Sequence, residues 1–399
     1  MRRFEIGGVV LDEADPDLTA AVAAAHRDRV RPLCLCRQPG VAMYVARIGD
    51  QHVIKRMPLT GGLHDPECDS YEPPLELSGL GPLMGNAIRL DPETGQAALR
   101  LEFSLSRTGS RAPPTPGASE ASSVKSEARR LSLRALLHFL WNEAGLTKRT
   151  SVWSGKRQWW NLRWHLIEAA KTMVVKGAPL SEVLLLPEPF RASSKAAIEE
   201  RRAAALRAIL PQKTGPRRLM VLVGEIKEFQ AARGGHRVVV KHMPGFPLLL
   251  DDKGWQSLKA RFEIELALWS ANDAAHLVAI ATFGVNDAGL AAIEEIALMM
   301  VTENWIPYES VHEERLVGAL AKLREQSIKG LRYGLPSDQP MVAALLMQRK
   351  PKPLALYIVP GSADDAYEAE LNEMVAARPD FDSWIWRVAQ GDMPPLPAR

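Results

Sequence analysis

All three cysteines of this 399-residue chain stand within its first 68 positions, at Cys34, Cys36 and Cys68. That placement excludes a disulfide framework spread through the fold, so whatever these sulfurs do is local. Cys34-Leu35-Cys36 comes just before two short β-leaning runs, Val41 to Arg47 and Gln51 to Met57, and His64-Asp65-Pro66-Glu67-Cys68 comes just after them. Gly49-Asp50 between the runs is hairpin chemistry, because a tight turn wants residues that tolerate positive φ. A hairpin of this length carries the second pair of side chains back beside the first. Cys34, Cys36, His64 and Cys68 are therefore the expected ligands of one Zn²⁺, in a small β-hairpin module that the metal stabilises. Four protein ligands close the coordination sphere, which makes the expected site structural, since a catalytic zinc keeps a position open for water. Other readings stay open at this point. C-x-C is a short ligand step, His52 on the hairpin competes with His64, His64 could be an ordinary loop histidine, and Cys34 with Cys36 could form a redox pair.

The net charge of +3, from 50 Lys and Arg against 47 Asp and Glu, conceals an uneven distribution. Residues 1–100 carry a net −3, residues 101–220 a net +12 and residues 221–399 a net −6. Five of the ten tryptophans, Trp141, Trp153, Trp159, Trp160 and Trp164, fall in the basic window. With 46% apolar and 24% charged residues the chain has ordinary globular composition. No stretch reaches the ~18 apolar residues of a membrane helix, and the acidic start around Asp12 to Asp17 lacks the order of a secretory leader. The expected location is the cytoplasm.

Four segments follow from composition and periodicity. Residues 1–103 hold the zinc module, 104–127 form a linker with 17 Ser, Thr, Pro, Gly or Ala in 24 positions, 128–212 are basic and helical, and 213–399 are α/β. The first segment opens with a strand-like run, Phe4 to Leu11, and a helix from Asp17 to Val30. The helical segment reads as LSLRALLHFLWNEAG, a second helix from about Lys156 to Lys176, and KAAIEERRAAALRAIL. The last segment reads as paired strands Leu219–Val223 and His236–Lys241, a helix Gly254–Trp269, a strand Leu277–Phe283 and a helix Leu290–Met300. A helix Val311–Glu325, a strand Leu354–Val359 and a helix Asp364–Ala377 follow. The fold class is thus multidomain α+β.

On a helical wheel, Trp159, Leu162, Leu166, Ala170 and Met173 make one apolar stripe, the expected buried face. Arg157, Trp160, Asn161, Trp164 and Lys171 lie on the flank and back. Cations interleaved with indoles suit nucleic acid, because Arg and Lys neutralise phosphates and an exposed aromatic stacks on a base. Arg157, Trp160, Arg163, Trp164 and Lys171 are the expected nucleic-acid contacts, with DNA rather than RNA as partner. Two helices joined near Gly145 also resemble a helix-turn-helix. Against this, Glu168 sits on the same face, and Trp160 and Trp164 could instead pack within the protein or anchor a protein partner, an adaptor role.

Glu225-Ile226-Lys227 after an apolar strand has the local form of the acid-x-Lys step in metal-dependent nucleases. Glu225 and Lys227, with Glu309 and Glu313, are the residues of an alternative nuclease reading. The strand Leu354–Val359 carries Ala355, Leu356 and Tyr357 where a restriction-endonuclease-like site needs an acid and a lysine, so a fold of that type would be degenerate here. No phosphate loop, Ser–His–Asp pattern or H-E-x-x-H is present, and the reading leans away from an enzyme.

The run from Pro32 to Leu80, together with KRQWWNLRWHLIEAA, VLVGEIKEF, WIPYES, KGLRYGLPSDQP and SWIWRVAQGDMPPLP, resembles the bacterial family named domain of unknown function 1173 over nearly the whole chain. That family carries no assigned chemistry. Its members resemble accessory proteins of plasmids and integrating elements, which implies an association with nucleic acid. Cys34, Cys36, His64 and Cys68 match the family pattern, and the segment 106–126 reads as a variable insertion.

Overall fold

The computed structural model describes residues 2–48, 51–65, 67–91, 94–107, 130–150, 157–210, 215–286 and 289–397. The Gly49-Asp50 turn, residues 108–127 of the expected linker, Trp153 and Lys156 lie outside the described residues. The first elements are β1 (Arg3–Ile6), β2 (Val9–Asp12), α1 (Leu18–Asp28), β3 (Leu33–Cys34), β4 (Val41–Ile48) and β5 (Gln51–Arg56). They make one sheet ordered β2-β1-β3-β4-β5, covered by α1 through Val22 and Ala25. Phe4 to Leu11, expected as one strand, is a hairpin, because Gly7 and Gly8 both take positive φ and turn the chain.

β6 (Ile88–Leu90), β7 (Ala97–Leu99) and β8 (Ser106–Arg107) follow, then α2 (Leu133–Glu143), β9 (Lys148–Arg149), α3 (Trp159–Lys171), β10 (Met173–Val175), β11 (Ala178–Pro179), β12 (Leu184–Leu185), α4 (Lys195–Leu206) and β13 (Arg217–Arg218). Ser132 caps α2, its hydroxyl accepting from the Ala135 N–H at 3.2 Å, and eight of the eleven residues of α2 are buried. No helix-turn-helix results. Residues 144–158 separate α2 from α3 and include β9, and α2 lies inside the molecule against barrel strands. The second helix also ends earlier than expected, at Lys171, and Met173 joins a strand that pairs in parallel with β7. Its apolar stripe is as read: Trp159, Leu162, Leu166, Ala170 and Met173 are all buried.

The next elements are β14 (Met220–Ala232), β15 (Gly235–Val240), β16 (Leu248–Asp251), α5 (Asp252–Arg261), α6 (Glu263–Ala271), β17 (His276–Val285), β18 (Ala291–Val301) and β19 (Pro307–Tyr308). β14 is 13 residues long and serves two neighbours. Its first half pairs antiparallel with β17, from Met220↔Phe283 to Glu225↔Val278, and its second half with β15, from Ile226↔Val240 to Ala232↔Gly235. Leu219–Val223 therefore pairs with β17 and not with His236–Lys241. β15 pairs with β16, β16 runs parallel to β18, and β18 pairs with β17, so five strands close a barrel in the order β14-β15-β16-β18-β17. Gly235 allows the crossing beside β16, where a Cβ would stand 2.1 Å from the Leu250 carbonyl oxygen.

Leu290–Met300 is a strand, not a helix. Ala, Glu, Leu and Met favour helix, but a bulge opposite Thr282 and Phe283 leaves Glu294 and Glu295 exposed together, and Ile296 to Val301 is buried on both faces, which a helix in a one-sided core would not allow. Gly254–Trp269 is two helices that break at Phe262.

The chain ends with α7 (Val311–Lys322), β20 (Ser327–Lys329), β21 (Val342–Leu346), β22 (Leu354–Val359), α8 (Asp365–Ala376) and β23 (Asp382–Arg387). The sheet order is β23-β22-β21-β20-β9, with β22 and β23 parallel across the α8 crossover. One apolar core runs from Leu80 to Tyr333 and takes in α2, α3 and the barrel. The architecture is mixed α+β, and no helix among the described residues is long and apolar enough to cross a membrane.

Candidate metal centre and the basic helix

β3 is only two residues long, but it lies between β1 and β4, with Cys34 opposite both Phe4 and Val41. That pairing buries Cys34 to 1% exposure and points Cys36 into the turn that follows. The β4–β5 hairpin, in register from Met43↔Arg56 to Ile48↔Gln51, brings the chain back. A one-turn helix, Gly61–Leu63, then sets His64. Gly61 is needed there, since a Cβ would meet the Glu72 Cβ at 2.3 Å. The His64 N–H donates to the Gly61 carbonyl, the Cys68 N–H to that of Asp65 and the Tyr71 N–H to that of Cys68, three successive turns that fix the second pair of side chains.

The four donor atoms converge. Cys34 Sγ and Cys68 Sγ are 3.8 Å apart, Cys36 Sγ lies 3.3 Å and Cys68 Sγ 3.8 Å from His64 Nδ1, and all four fall within 4.8 Å of one another. Zn–S bonds of ~2.3 Å and Zn–N bonds of ~2.0–2.1 Å in a tetrahedron put sulfurs ~3.8 Å apart and sulfur to nitrogen ~3.6 Å, so the set fits zinc. The Asp65 N–H points to Cys36 Sγ at 3.5 Å. The hydrogen bond from Cys34 pushes the Cys68 thiol down to about 3, aided by His64 and the Ser70 N–H against the opposing effect of burial, while the Cys34 thiol is raised. His64 is fully buried, and its Nε2 has no hydrogen-bond partner among the described residues, so packing and the sulfurs alone orient the ring. His52 is not in the cluster; its ring lies against His26, with centroids 4.5 Å apart. Among the described residues no other group of three or more His, Cys, Asp or Glu side chains converges in this way.

The five expected contacts, Arg157 just before α3 and the rest on it, are spread over different tasks. Arg157 donates to the carbonyls of Leu146, Lys148 and Asn304. Arg163 Nε donates to the Leu186 carbonyl at 3.1 Å, and Lys171 pairs with Glu168 at 2.6 Å. Trp164 Nε1 donates to the Arg47 carbonyl at 3.3 Å, and Lys55 lies 4.8 Å from its ring centroid. Trp160 is 56% exposed.

The acidic residues likewise stand with cations of the protein. Glu225 accepts from Lys241 Nζ at 2.5 Å and from His276 Nδ1 at 2.6 Å. Burial raises its carboxyl, and those two hydrogen bonds outweigh burial and hold it below the usual range. A register shift between Ile226 and Glu228 makes Lys227 a bulge residue that faces Glu228 at 3.7 Å, so Lys241 occupies the place beside Glu225. Glu309 pairs with Arg134 and Arg332, while Glu313 pairs with Lys329 and accepts the Glu309 N–H. Sequence reasoning missed Arg201, Arg202 and His242, which share a cavity with Arg163. The adjacent arginines in an Ala-rich helix were the available signal.

A family model described as protein of unknown function (DUF1173) matches residues 4–389. No curated protein and no solved structure matches the chain.

Proposed function

Since the chain belongs to the DUF1173 family, whose description assigns no chemistry, we propose from its own geometry that it is a nucleic-acid-binding accessory protein with a structural zinc ion and no catalysis of its own. The observation that carries the reading is the barrel. Its order, three meandering strands, helix, two strands, with the third and fifth parallel, is that of the OB-fold, in which the face of strands two and three between the first and last loops takes oligonucleotides. Here that face is β15 with β16, flanked by the second half of β14. Its outward row is Gln230, Arg237, Leu249 and Ala292, with Gln230 and Arg237 exposed and Lys227 exposed nearby. The opposite side of the barrel is covered by α2, which packs on β17 and β18. A shared topology supports a class of ligand and does not assign one, and the same fold takes oligosaccharides.

The C-terminal order α7-β20-β21-β22-α8-β23 is in keeping with a degenerate nuclease-like scaffold, its strand β22 filled by Ala355, Leu356 and Tyr357, all buried. The test is fluorescence anisotropy with labelled single-stranded DNA, single-stranded RNA and duplex DNA as salt is raised. Binding to the DNA strand should weaken steeply with salt and fall on Arg237→Glu. No binding at ~50 mM salt removes the proposal. A Mg²⁺-dependent cleavage assay of wild type and Glu225→Ala should show no cleavage in either.

A further inference from the structure

Between α3, α4 and the loop joining β15 to β16 lies a cavity of about 230 Å³. Arg163, Arg201, Arg202 and His242 line it against one carboxylate, Glu188. That carboxylate is committed, since Arg201 reaches both of its oxygens at 2.8–3.1 Å. Arg163 spends only Nε, on the Leu186 carbonyl, and its terminal nitrogens have no acceptor among the described residues. Arg202 has no acceptor among them at all; its guanidinium lies over Phe246, 5.0 Å from the ring centroid. His242 Nδ1 accepts the Phe190 N–H at 3.2 Å.

Both guanidiniums, with donors left over, are partly withdrawn from water, and burial lowers the pKa of each against the opposing pull of Glu188 on Arg163 and Glu199 on Arg202. Two carboxylates offset only part of the charge that Arg163, Arg201 and Arg202 bring together, and an anion between Arg163 and Arg202 would offset more. The guanidinium fork matches the oxygens of a phosphate, and stacking on Phe246 leaves the edge of Arg202 free to donate. The volume is below the ~300–1,000 Å³ of sites for drug-sized ligands, which suits one phosphate with part of its ester.

The geometry points to a phosphate-binding site in this cavity, with Arg163 and Arg202 as its ligands, occupied by a backbone phosphate of the bound nucleic acid. This rests on the proposed function, because the same β15–β16 loop bounds the barrel face, so a strand lying across β15 and β16 reaches the cavity next.

Arg202→Gln is the decisive variant, as Arg202 gives the fold no hydrogen bond. Binding of a labelled single-stranded oligonucleotide should weaken about tenfold. The slope of log affinity against log salt should shallow by ~0.7, one phosphate contact, and by about twice that in Arg163→Gln/Arg202→Gln. Affinity and slope equal to wild type in Arg202→Gln overturn the proposal. If the wild type binds no oligonucleotide, the nucleic-acid reading fails by itself. Thermal shift with inorganic phosphate and with a nucleoside 5′-monophosphate then decides the cavity. A stabilisation that Arg202→Gln abolishes upholds a phosphate site for a free ligand, and no stabilisation in the wild type overturns it.

Discussion

The Cys/His knuckle and the α3–β14 region both present reactive side chains at suggestive spacings, and they turn out differently. In the knuckle, donors 30 residues apart in sequence meet within 4.8 Å because a single hairpin connects them. Around α3 and β14, residues six or fewer apart diverge. Arg157 and Arg163 go to main-chain carbonyls, and Glu225 and Lys227 part at a bulge. Spacing is informative where one local element sets the geometry, and uninformative where distant segments supply the partners.

Removing a ligand tests the first half of this contrast most strongly. The purified protein should contain about one zinc per chain by elemental analysis. Cys68→Ser should lose it and melt the first sheet, because structural zinc is worth ~10–16 kcal/mol in small modules. A folded, metal-free wild type would break the contrast outright.

Next come the paired tryptophans at the start of α3. Trp159 is 5% exposed and donates from Nε1 to the Pro187 carbonyl at 2.7 Å, so Trp159→Ala should cost ~3–5 kcal/mol in denaturant unfolding. Trp160→Ala should stay within ~0.5 kcal/mol, and a large loss there would show that the exposed flank is covered.

Glu225 makes a smaller, pH-dependent test. Its carboxyl is held below its unfolded value, so its contribution is present above the unfolded pKa and is lost as pH falls through the folded one. Glu225→Gln should lower stability by ~1.5–3 kcal/mol near pH 7 and by less in acid, which unfolding curves across pH 3 to 7 would measure. The smallest effect belongs to Lys227→Ala. Its pairing with Glu228 is exposed, and the change in unfolding free energy should be under ~0.5 kcal/mol.

Much of the fold was legible where one face of an element meets one core. The α3 stripe, the β4–β5 hairpin, α7 and α8 follow their patterns. β18 was not legible, because burial on both faces erases periodicity and leaves residues of high helix propensity. The barrel closure was equally hidden. It depends on β14 changing neighbours halfway along, and no residue announces that β17 will pair with Met220 while β15 pairs with Ala232. The clustering of Cys34, Cys36, His64 and Cys68 could be picked out from sequence alone, whereas the cavity arginines could not, since Arg163 and Arg202 approach only through the packing of α3, α4 and the β15–β16 loop.

One small element sets a timetable for synthesis. β9, two residues long, forms the edge of a sheet whose other strands come much later in the chain, and its partner β20 emerges about 180 residues after it. At ~5–20 residues per second the ribosome takes ~10–40 s to cover that distance. Through that interval β9 lacks the strand it pairs with in the finished fold, while the knuckle, complete by Cys68, could take a metal ion as soon as it leaves the exit tunnel. The nascent chain would thus acquire its parts in sequence, an early Cys/His knuckle and a later sheet that docks back onto a strand made long before.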